Sequence, residues 1–506
     1  MMLVIICVHS MTTHSAPESL DLYAIAHQAM LDAGFVPDIP QSVSDELRAI
    51  KSRAQALTAV DSARDLRSLL WSSIDNRESR DLDQVEHAEK LPGGNVRLRI
   101  GIANVDELVH SGSAIDGHAA ENGTSVYTGI KTFSMLPEVL SEDLTSLVGG
   151  ADRSSIVIDM LVADDGTVKE SEVYLARIHN HSRLSYDEVG TWLDQQGEIP
   201  PAVDAVPGME AQIRLQFATA MRLRELRKLH GALELETIQA SPVLNNSGQV
   251  TDLTVTERNS ARDIIENFMI AANVSMAQFF ETGRVISLRR VVRAPEQWPR
   301  IVEVARTFGE RLPETPDSRA LAAFLARRKA ADPVHFPDLS LSIVKLLGPG
   351  EYAVQTPDSA SDGHFGLAVH DYLHSTAPNR RFADLVTQRL AKSELTQAPV
   401  PYSEEELNRI AAHCTEREDA ARKVERKMRK VGAAVLLKER IGEEFDAIVT
   451  GVTPKGTFAR LIKPPVDGRV MRGEQGLRVG EKVRVKLLST DPGRGFIDFG
   501  HIGGIA

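Results

Sequence analysis

Residues 96–105 read VRLRIGIANV, and the aliphatic side chains of this stretch fall on every second position. They are Val96, Leu98, Ile100 and Ile102. Successive side chains of a β-strand point to opposite faces of the sheet, so the alternation predicts a strand with one buried face. Two further strands are predicted at SSIVIDMLVA (154–163) and EVYLARI (172–178), joined by a turn at 164–166.

Helices are predicted downstream of these strands. Ile213, Phe217 and Ala220 share one face of the first helix at helical spacing, and Gly231 is placed to end it. A second helix is predicted from about Arg262 to Phe280. Strands followed by helices indicate an α+β domain rather than a doubly wound sheet.

The two ends of the chain have different patterns. Residues 1–70 are predicted to form a small helical region, because apolar residues recur there at helical spacing. Residues 401–440 are predicted to form a long connecting helix, with Ser403 and Glu406 at capping-box spacing. From residue 441 to 506 short apolar runs separated by glycines predict a small closed β-barrel.

Composition narrows the class of protein. The 506 residues are 42% apolar, which is enough to bury a large core, and the two cysteines, Cys7 and Cys414, are too far apart in sequence to suggest a disulfide framework or a zinc site. The opening MMLVIICVHSM has no basic start or A-x-A site, so no signal peptide is expected. We expect a cytoplasmic protein without membrane contact. A net charge of −12 argues against broad coating of nucleic acid but permits a local basic channel.

Residues 72–84 form an acidic stretch, SSIDNRESRDLDQ, with three carboxylates at Asp75, Asp81 and Asp83. Mg²⁺ prefers oxygen ligands and binds one or two carboxylates while sharing its shell with water and substrate phosphate. Such a cluster suits metal-assisted attack on a phosphodiester. By itself the pattern is weak, because an acidic loop is more often simply solvated.

The same stretch resembles the metal-binding signature of the RNase II/RNase R family, whose RNB catalytic domain carries T-I-D…D-x-D-D. Other blocks resemble successive parts of that domain in the same order, from about Trp71 to Leu395. They include RIGIANVDELVHSGSAIDGHAAENGTSVY, IIENFMIAAN, SLRRVVRAPEQW and HFGLAVHDYLHSTAPNRRFADLVTQR. The resemblance implies an RNB domain over residues 71–400, with a mixed sheet and surrounding helices, followed by a five-stranded OB-fold barrel.

The resemblance also implies a metal site and catalytic residues. Mg²⁺, or alternatively Mn²⁺, is expected on Asp75, Asp81, Asp83 and Gln84, and Asp81, Asp83 and Arg380 are the expected catalytic residues. Gln84 departs from the family pattern, which has a fourth aspartate there. An amide oxygen can coordinate Mg²⁺ but brings no negative charge, so either metal affinity is expected to fall or a second metal is expected to bind differently.

Substrate contacts follow from the same resemblance. Tyr127 is expected to stack on the 3′-terminal base, with Arg381 and Glu266 as further contacts. Glu266 and Asn273 lie on one predicted helix and match positions that face RNA in relatives, although an exposed or helix-packing role explains either residue nearly as well. The basic run 422–430 is more simply interpreted as a solvated helix face.

In the barrel, two aromatic residues, Phe445 and Phe458, fall where OB-type domains present rings to RNA, beside Lys455 and Arg460. Packing in the barrel core is an equal alternative for either ring.

The resemblance implies a monomeric 3′-to-5′ exoribonuclease that degrades single-stranded RNA with a free 3′ end processively to nucleoside 5′-monophosphates. The alternative is an RNA-binding protein that keeps the RNB fold but has weakened catalysis because of Gln84. A nuclease that cuts DNA or cuts internally is a third possibility.

Overall fold

The structure is a computed structural model that describes residues 20–54, 63–238, 240–245, 248–255, 257–359, 362–454 and 456–504. Its β-strands in these ranges are β1 (Arg64–Asp65), β2 (Trp71–Asp75), β3 (Gln84–Lys90), β4 (Val96–Ala103), β5 (Val126–Tyr127), β6 (Thr132–Phe133), β7 (Asp152–Val162), β8 (Val168–Ser185), β9 (Ala240–Leu244), β10 (Val250–Val255), β11 (Ser287–Val291), β12 (Glu351–Gln355), β13 (Glu444–Thr453), β14 (Gly456–Leu461), β15 (Asp467–Arg472), β16 (Lys482–Asp491) and β17 (Phe496–Gly504).

The α-helices in the same ranges are α1 (Leu22–Asp32), α2 (Gln41–Ala54), α3 (Ala114–Asn122), α4 (Tyr186–Leu193), α5 (Pro201–Asp204), α6 (Met209–His230), α7 (Ser260–Gly283), α8 (Trp298–Thr307), α9 (Ser318–Ala331), α10 (Phe336–Leu347), α11 (Phe382–Thr396) and α12 (Glu404–Leu437). None of the helices in the described part of the chain is long and apolar enough to cross a membrane.

The central sheet has the order β1-β8-β2-β3-β4-β7, and β8 also pairs with β7. β2 and β8 run parallel, whereas β3, β4 and β7 join antiparallel, so the predicted mixed sheet is confirmed. The predicted hairpin is β7 and β8. Gly166 in its turn has φ 87°, and a Cβ there would lie 2.3 Å from the carbonyl oxygen of Arg222, so a side chain does not fit.

Helices α6 and α7 pack against each other and against this sheet, which accounts for the helical stripes in the sequence. Ile213 and Ala220 are fully buried and Phe217 is partly buried on α6, which ends at Gly231 with φ 96°, as predicted. The α+β class is therefore confirmed.

Helix α12 begins with the predicted capping box of Ser403 and Glu406. In the basic run, Arg422 forms ion pairs with Glu418 and Asp419 of the same helix, consistent with a solvated face. The buried side of α12 packs against α1 in one apolar cluster. The N-terminal helical stretch ends before the predicted residue 70, because β1 pairs with β8 instead.

The C-terminal strands close into a five-stranded barrel with the order β13-β14-β15-β17-β16, as expected for an OB-type domain. Phe445 is buried in the barrel core, which decides its role in favour of packing. Phe458 is half-buried. Arg460 is buried and paired with Asp338 of α10, so its expected position on an RNA-facing surface is wrong. Lys455, Cys7 and the MMLVIICVHSM stretch lie outside the described residues.

Candidate active site

Asp75 is the last residue of β2, at the point where this strand leaves the sheet. The Asn76 backbone N–H and the Ser79 hydroxyl both donate to its Oδ1, at 2.6 and 2.8 Å. These bonds hold the turn that follows the strand. Burial raises the pKa of Asp75 above its usual range, although Arg380 opposes that shift. Asp75 is therefore a positioned carboxylate close to a cation.

Asp83 precedes β3 and is only 1% exposed. Its Oδ1 accepts from the Asn379 backbone N–H at 2.9 Å, and its Oδ2 accepts from Arg380 Nε at 3.2 Å. Burial raises the pKa of Asp83 to about 7, while Arg380 and the Asn379 N–H act in the opposite direction. The carboxylate thus joins the acidic stretch to a segment almost 300 residues later in the chain.

Asp81 faces the expected base-stacking residue. The Tyr127 hydroxyl donates to Asp81 Oδ2 at 2.9 Å, and the Tyr127 backbone N–H donates to Glu425 of α12 at 3.0 Å. The tyrosine is 40% exposed, so its ring is held in place while part of it faces solvent. Burial and the charge of Asp81 raise the pKa of the phenol, which stays protonated. The contribution of Glu425 had no signal in the sequence, because it depends on how α12 packs.

The two arginines of the APNRRF segment have different surroundings. Arg380 is 43% exposed. Burial lowers its pKa, but Tyr127 and nearby carboxylates outweigh that effect and raise it. Arg381 donates from Nε and Nη2 to the two oxygens of the buried Asp384, at 2.9 and 2.8 Å. The geometry places Arg380 among the aspartates and ties Arg381 to α11.

Glu266 is not among these contacts. It lies on α7 and pairs with Arg258 at 3.3 Å and Arg227 at 3.7 Å, beside a cavity of about 140 Å³. Asn273, further along α7, is buried, and its Oδ1 accepts from both the backbone N–H and the hydroxyl of Ser375. Asn273 therefore supports the loop that leads to Arg380. Contact of either residue with RNA stays a prediction.

β3 contributes two further polar side chains to the interior. Gln84 is buried at the start of the strand, and Glu86 is fully buried two residues later. Neither carboxylate oxygen of Glu86 has a hydrogen-bond partner among the described residues. Burial raises the pKa of Glu86 well above its usual range, and the charge of Asp75 adds to this shift. The sequence analysis did not identify Glu86, although a glutamate inside a buried strand is an unusual feature.

The donor set suits a hard divalent cation, because every candidate ligand offers oxygen. In the residues that the structure describes, no three His, Cys, Asp or Glu side chains converge as a ready-made metal cage. Asp81 and Asp83 are engaged by Tyr127 and Arg380. Mg²⁺ commonly uses one or two carboxylates and completes its shell with water and phosphate, so the residues fit such an ion in the presence of substrate.

The sequence of this chain is similar to those of known proteins. Residues 63–397 match the RNB domain family, and residues 443–501 match the RNase II-type exonuclease C-terminal S1 domain. Ribonuclease R of Thermotoga maritima is 30% identical over 489 residues, covering 91% of this chain and 68% of the relative. This chain belongs to the RNase II/RNase R family. Membership in this family of exoribonucleases confirms the resemblance seen in the sequence.

Solved structures of other proteins have the same fold. RNase R of Mycoplasma genitalium, solved in complex with ribose-methylated single-stranded RNA, has a TM-score of 0.84 at 22% identity and covers 95% of this chain and 78% of its own. Yeast Ssd1, described as a pseudonuclease, has a TM-score of 0.70 at 16% identity, covering 93% of this chain and 58% of its own. The fold alone therefore does not separate a nuclease from an inactive relative.

Proposed function

We propose that this protein is a 3′-to-5′ exoribonuclease that hydrolyses single-stranded RNA processively to nucleoside 5′-monophosphates. The observation that carries the proposal is the convergence of Asp81, Asp83, Tyr127 and Arg380 from three distant parts of the chain. A terminal nucleotide presents a base with a flat face and an anionic phosphate. An aromatic ring and an arginine beside carboxylates are complementary to both features.

Tyr127 acts on the base. Its hydroxyl bond to Asp81 and its backbone bond to Glu425 hold the ring in a fixed orientation before RNA binds. Stacking on an aromatic ring tolerates every base, because each base has a π face. Recognition without sequence preference suits an enzyme that advances by one nucleotide after each cleavage.

Arg380 acts on the phosphate. Its Nε is fixed by Asp83, while the side chain is exposed enough for a phosphate to reach the guanidinium. Donors that are oriented before the reaction stabilise charge that develops on nonbridging oxygens in the transition state. Asp83 orients this donor, and Arg380 and the Asn379 N–H favour its charged form, although burial still raises the pKa of Asp83 to about 7.

The metal in this proposal is Mg²⁺, with Mn²⁺ as a substitute. Asp75, Asp81, Asp83 and Gln84 would hold it through oxygen. When bound, such an ion supplies a strong nucleophile from water at neutral pH and offsets phosphate charge. The proposed oligomeric state is a monomer. Two cysteines without a disulfide framework support a cytoplasmic location.

The test is incubation of the purified protein with Mg²⁺ and 5′-labelled oligo(A). Shortening to very small 5′-labelled fragments, with release of nucleoside 5′-monophosphates, is the expected result. Asp83→Asn preserves shape but removes the charge that orients Arg380, so its rate should fall at least about 100-fold. An unchanged rate in this variant would show that the site has been assigned wrongly.

The same assay separates the rival functions. Stable RNA binding without shortening would identify a noncatalytic RNA-binding protein, the possibility raised by the neutral Gln84. Labelled fragments of intermediate length from the start of the reaction would indicate internal cleavage, and degradation of oligo(dA) would indicate a deoxyribonuclease. Each of these results would contradict the proposed exoribonuclease.

A further inference from the structure

Two adjacent hydroxyl side chains, Thr145 and Ser146, lie between the acidic stretch and the APNRRF segment. Both residues are buried, and they directly follow a single π-helical turn at Leu140–Leu144. Such turns are rare in proteins and are frequently found at functional sites. A buried hydroxyl needs a hydrogen-bond partner, and these two have partners in opposite halves of the candidate site.

Thr145 contacts the APNRRF segment. Its hydroxyl donates to Oδ1 of the fully buried Asn379 at 2.5 Å. The backbone N–H of Asn379 is the group that donates to Asp83 Oδ1 at 2.9 Å. The Leu140 backbone oxygen is also within reach of the hydroxyl, but it already accepts the Thr145 backbone N–H at 3.0 Å. The hydroxyl hydrogen is therefore available to Asn379, and this bond fixes the residue immediately before Arg380.

Ser146 contacts the acidic stretch. Its hydroxyl accepts from the Leu82 backbone N–H at 3.0 Å and donates to the Arg80 backbone oxygen at 2.6 Å. The next residue adds a third bond, because the Leu147 backbone N–H donates to the Leu82 backbone oxygen at 2.9 Å. Leu82 lies between the last two aspartates of the acidic stretch, so these bonds fix the backbone that carries both carboxylates.

The segment that carries the two hydroxyls is itself anchored to the central sheet. Arg153 of β7 donates from Nε to the Ser146 backbone oxygen at 3.0 Å. Asn180 of β8 is buried and donates from Nδ2 to the Leu147 backbone oxygen at 2.8 Å and to the Ser73 hydroxyl of β2 at 2.9 Å. The hydroxyls are therefore held by a rigid support. Catalysis requires such rigidity, since a misplacement of about 1 Å can cost about 100-fold in rate.

We propose that Thr145 and Ser146 are positioning residues of the nuclease site, which hold the acidic stretch and the APNRRF segment in register. Each hydroxyl acts through the backbone that it holds, and neither is assigned a contact with RNA or metal. The inference rests on the proposed function, because it gives the contact between Asp83 and Arg380 a role in catalysis. The competing description is a pair of buried hydroxyls that contribute only to stability.

Substitutions at Thr145 distinguish the two descriptions. Thr145→Val removes the hydroxyl with little change of shape and should lower the single-turnover rate at saturating oligo(A) about 10- to 100-fold. RNA affinity in EDTA should change less than about twofold, because the lost contact serves the reaction and not the binding of the base. Thr145→Ser keeps the hydroxyl and should have a rate within about threefold of the wild type.

Thr219→Val is the matched control. Thr219 is fully buried on α6, and its hydroxyl donates to the Leu215 backbone oxygen of the same helix at 2.7 Å. This variant loses a buried hydroxyl away from the site, so its rate should stay within about twofold of the wild type even if its melting temperature falls. Ser146→Ala is a second test of the proposal and should lower the rate about 10- to 100-fold, as Thr145→Val does.

Two further measurements respond to the site and not to stability in general. In an Arg380→Ala background, Thr145→Val should lower the rate by less than about threefold, because the contact that it supports is already lost. Hydrogen exchange followed by mass spectrometry should show which segment each hydroxyl holds. Thr145→Val should raise exchange mainly in residues 377–382, whereas Ser146→Ala should raise it mainly in residues 80–84.

The outcomes separate this inference from the proposed function. If the wild type does not shorten oligo(A), the proposed function fails and the positioning role fails with it. If the wild type shortens oligo(A) and folded Thr145→Val and Ser146→Ala do so at the same rate, the function stands and the positioning role is overturned. A Thr145→Ser rate as low as that of Thr145→Val, or a full additional loss in the Arg380→Ala background, would also overturn it.

Discussion

Replacing Arg380 with alanine tests the centre of the proposed site. The change removes the Nε donor that lies 3.2 Å from Asp83 Oδ2 and leaves this carboxylate with the Asn379 N–H as its remaining identified donor. It also removes the positive charge that acts on Asp75 and Asp81. The effect on catalysis should therefore be much larger than the effect on folding.

The two magnitudes follow from the position of the side chain. Loss of one oriented donor to developing negative charge costs about 2.7–4 kcal/mol, or about 10²- to 10³-fold in rate. Breaking a fully buried ion pair costs about 3–5 kcal/mol, but Arg380 is 43% exposed, so we expect about 1–2 kcal/mol of lost stability. The protein should stay folded while its rate falls.

The assay is single-turnover degradation of 5′-labelled oligo(A) in Mg²⁺, with RNA affinity measured separately in EDTA by fluorescence anisotropy. Arg77→Ala is the control, because Arg77 belongs to the same acidic stretch and forms an exposed ion pair with Glu188. Its rate should stay within about twofold of the wild type. An Arg380→Ala rate within about threefold of the wild type would refute the role assigned to Arg380.

A double variant shows whether Arg380 and Asp83 act as a unit. The effects of mutating two groups in direct contact are strongly non-additive. The double variant Asp83→Asn with Arg380→Ala should therefore have a rate within about threefold of the slower single variant. Multiplication of the two single effects would mean that the residues act independently, contrary to the observed hydrogen bond.

Three further predictions concern single side chains. Tyr127→Ala should weaken oligo(A) binding in EDTA by about 1–3 kcal/mol, whereas Tyr127→Phe keeps the ring and most of the affinity; equal losses in both variants would exclude stacking. Burial and the charge of Arg99 lower the pKa of His87 to about 4 in the folded protein, whereas the ordinary value in the unfolded chain is about 6.5. As the pH falls below about 6.5, His87 is therefore protonated in the unfolded chain before it is protonated in the folded protein. The contribution of neutral His87 to the free energy of unfolding is therefore fully present above about pH 6.5 and is lost progressively as the pH falls toward 4. Between pH 6.5 and 5 the wild type should lose about 2 kcal/mol more than His87→Gln in urea unfolding, and equal pH slopes would contradict this account. Burial raises the pKa of Cys414 to about 12, so in a Cys7→Ser protein the native thiol should resist a disulfide reagent at pH 8 and react promptly only in denaturant. Rapid stoichiometric labelling of the native protein would show that Cys414 is accessible.

Local patterns predicted several elements of this fold correctly. The alternation of apolar residues in β4 and in the hairpin of β7 and β8 indicates strands with one buried face. This pattern can be recognised without knowing how the rest of the chain folds. The same is true of the Ser403 capping box and of the glycine that ends α6. The end of the N-terminal helical stretch was placed too late, because β1 is two residues long and exists only by pairing with β8.

The candidate site was harder to predict from the residues alone. Asp75, Asp81 and Asp83 looked like an ordinary acidic loop until their resemblance to a family motif was considered. Phe445 and Arg460 illustrate the limit, since their types suit RNA binding but the barrel buries the ring and Asp338 pairs with the arginine. Side-chain type indicates what a residue can do, whereas burial and partners decide what it does.

What the sequence determined by itself is several of the strands and helices and, through the order of its motifs, the RNase II/RNase R family. Periodicity, turns and caps act over a few residues, so they can be recognised in any short window of the chain. Only the tertiary structure decided that Asp83 meets Arg380, that Glu425 holds Tyr127, and that Glu86 is buried without a partner. Contacts between residues hundreds of positions apart depend on how whole elements pack, and no local rule contains that information.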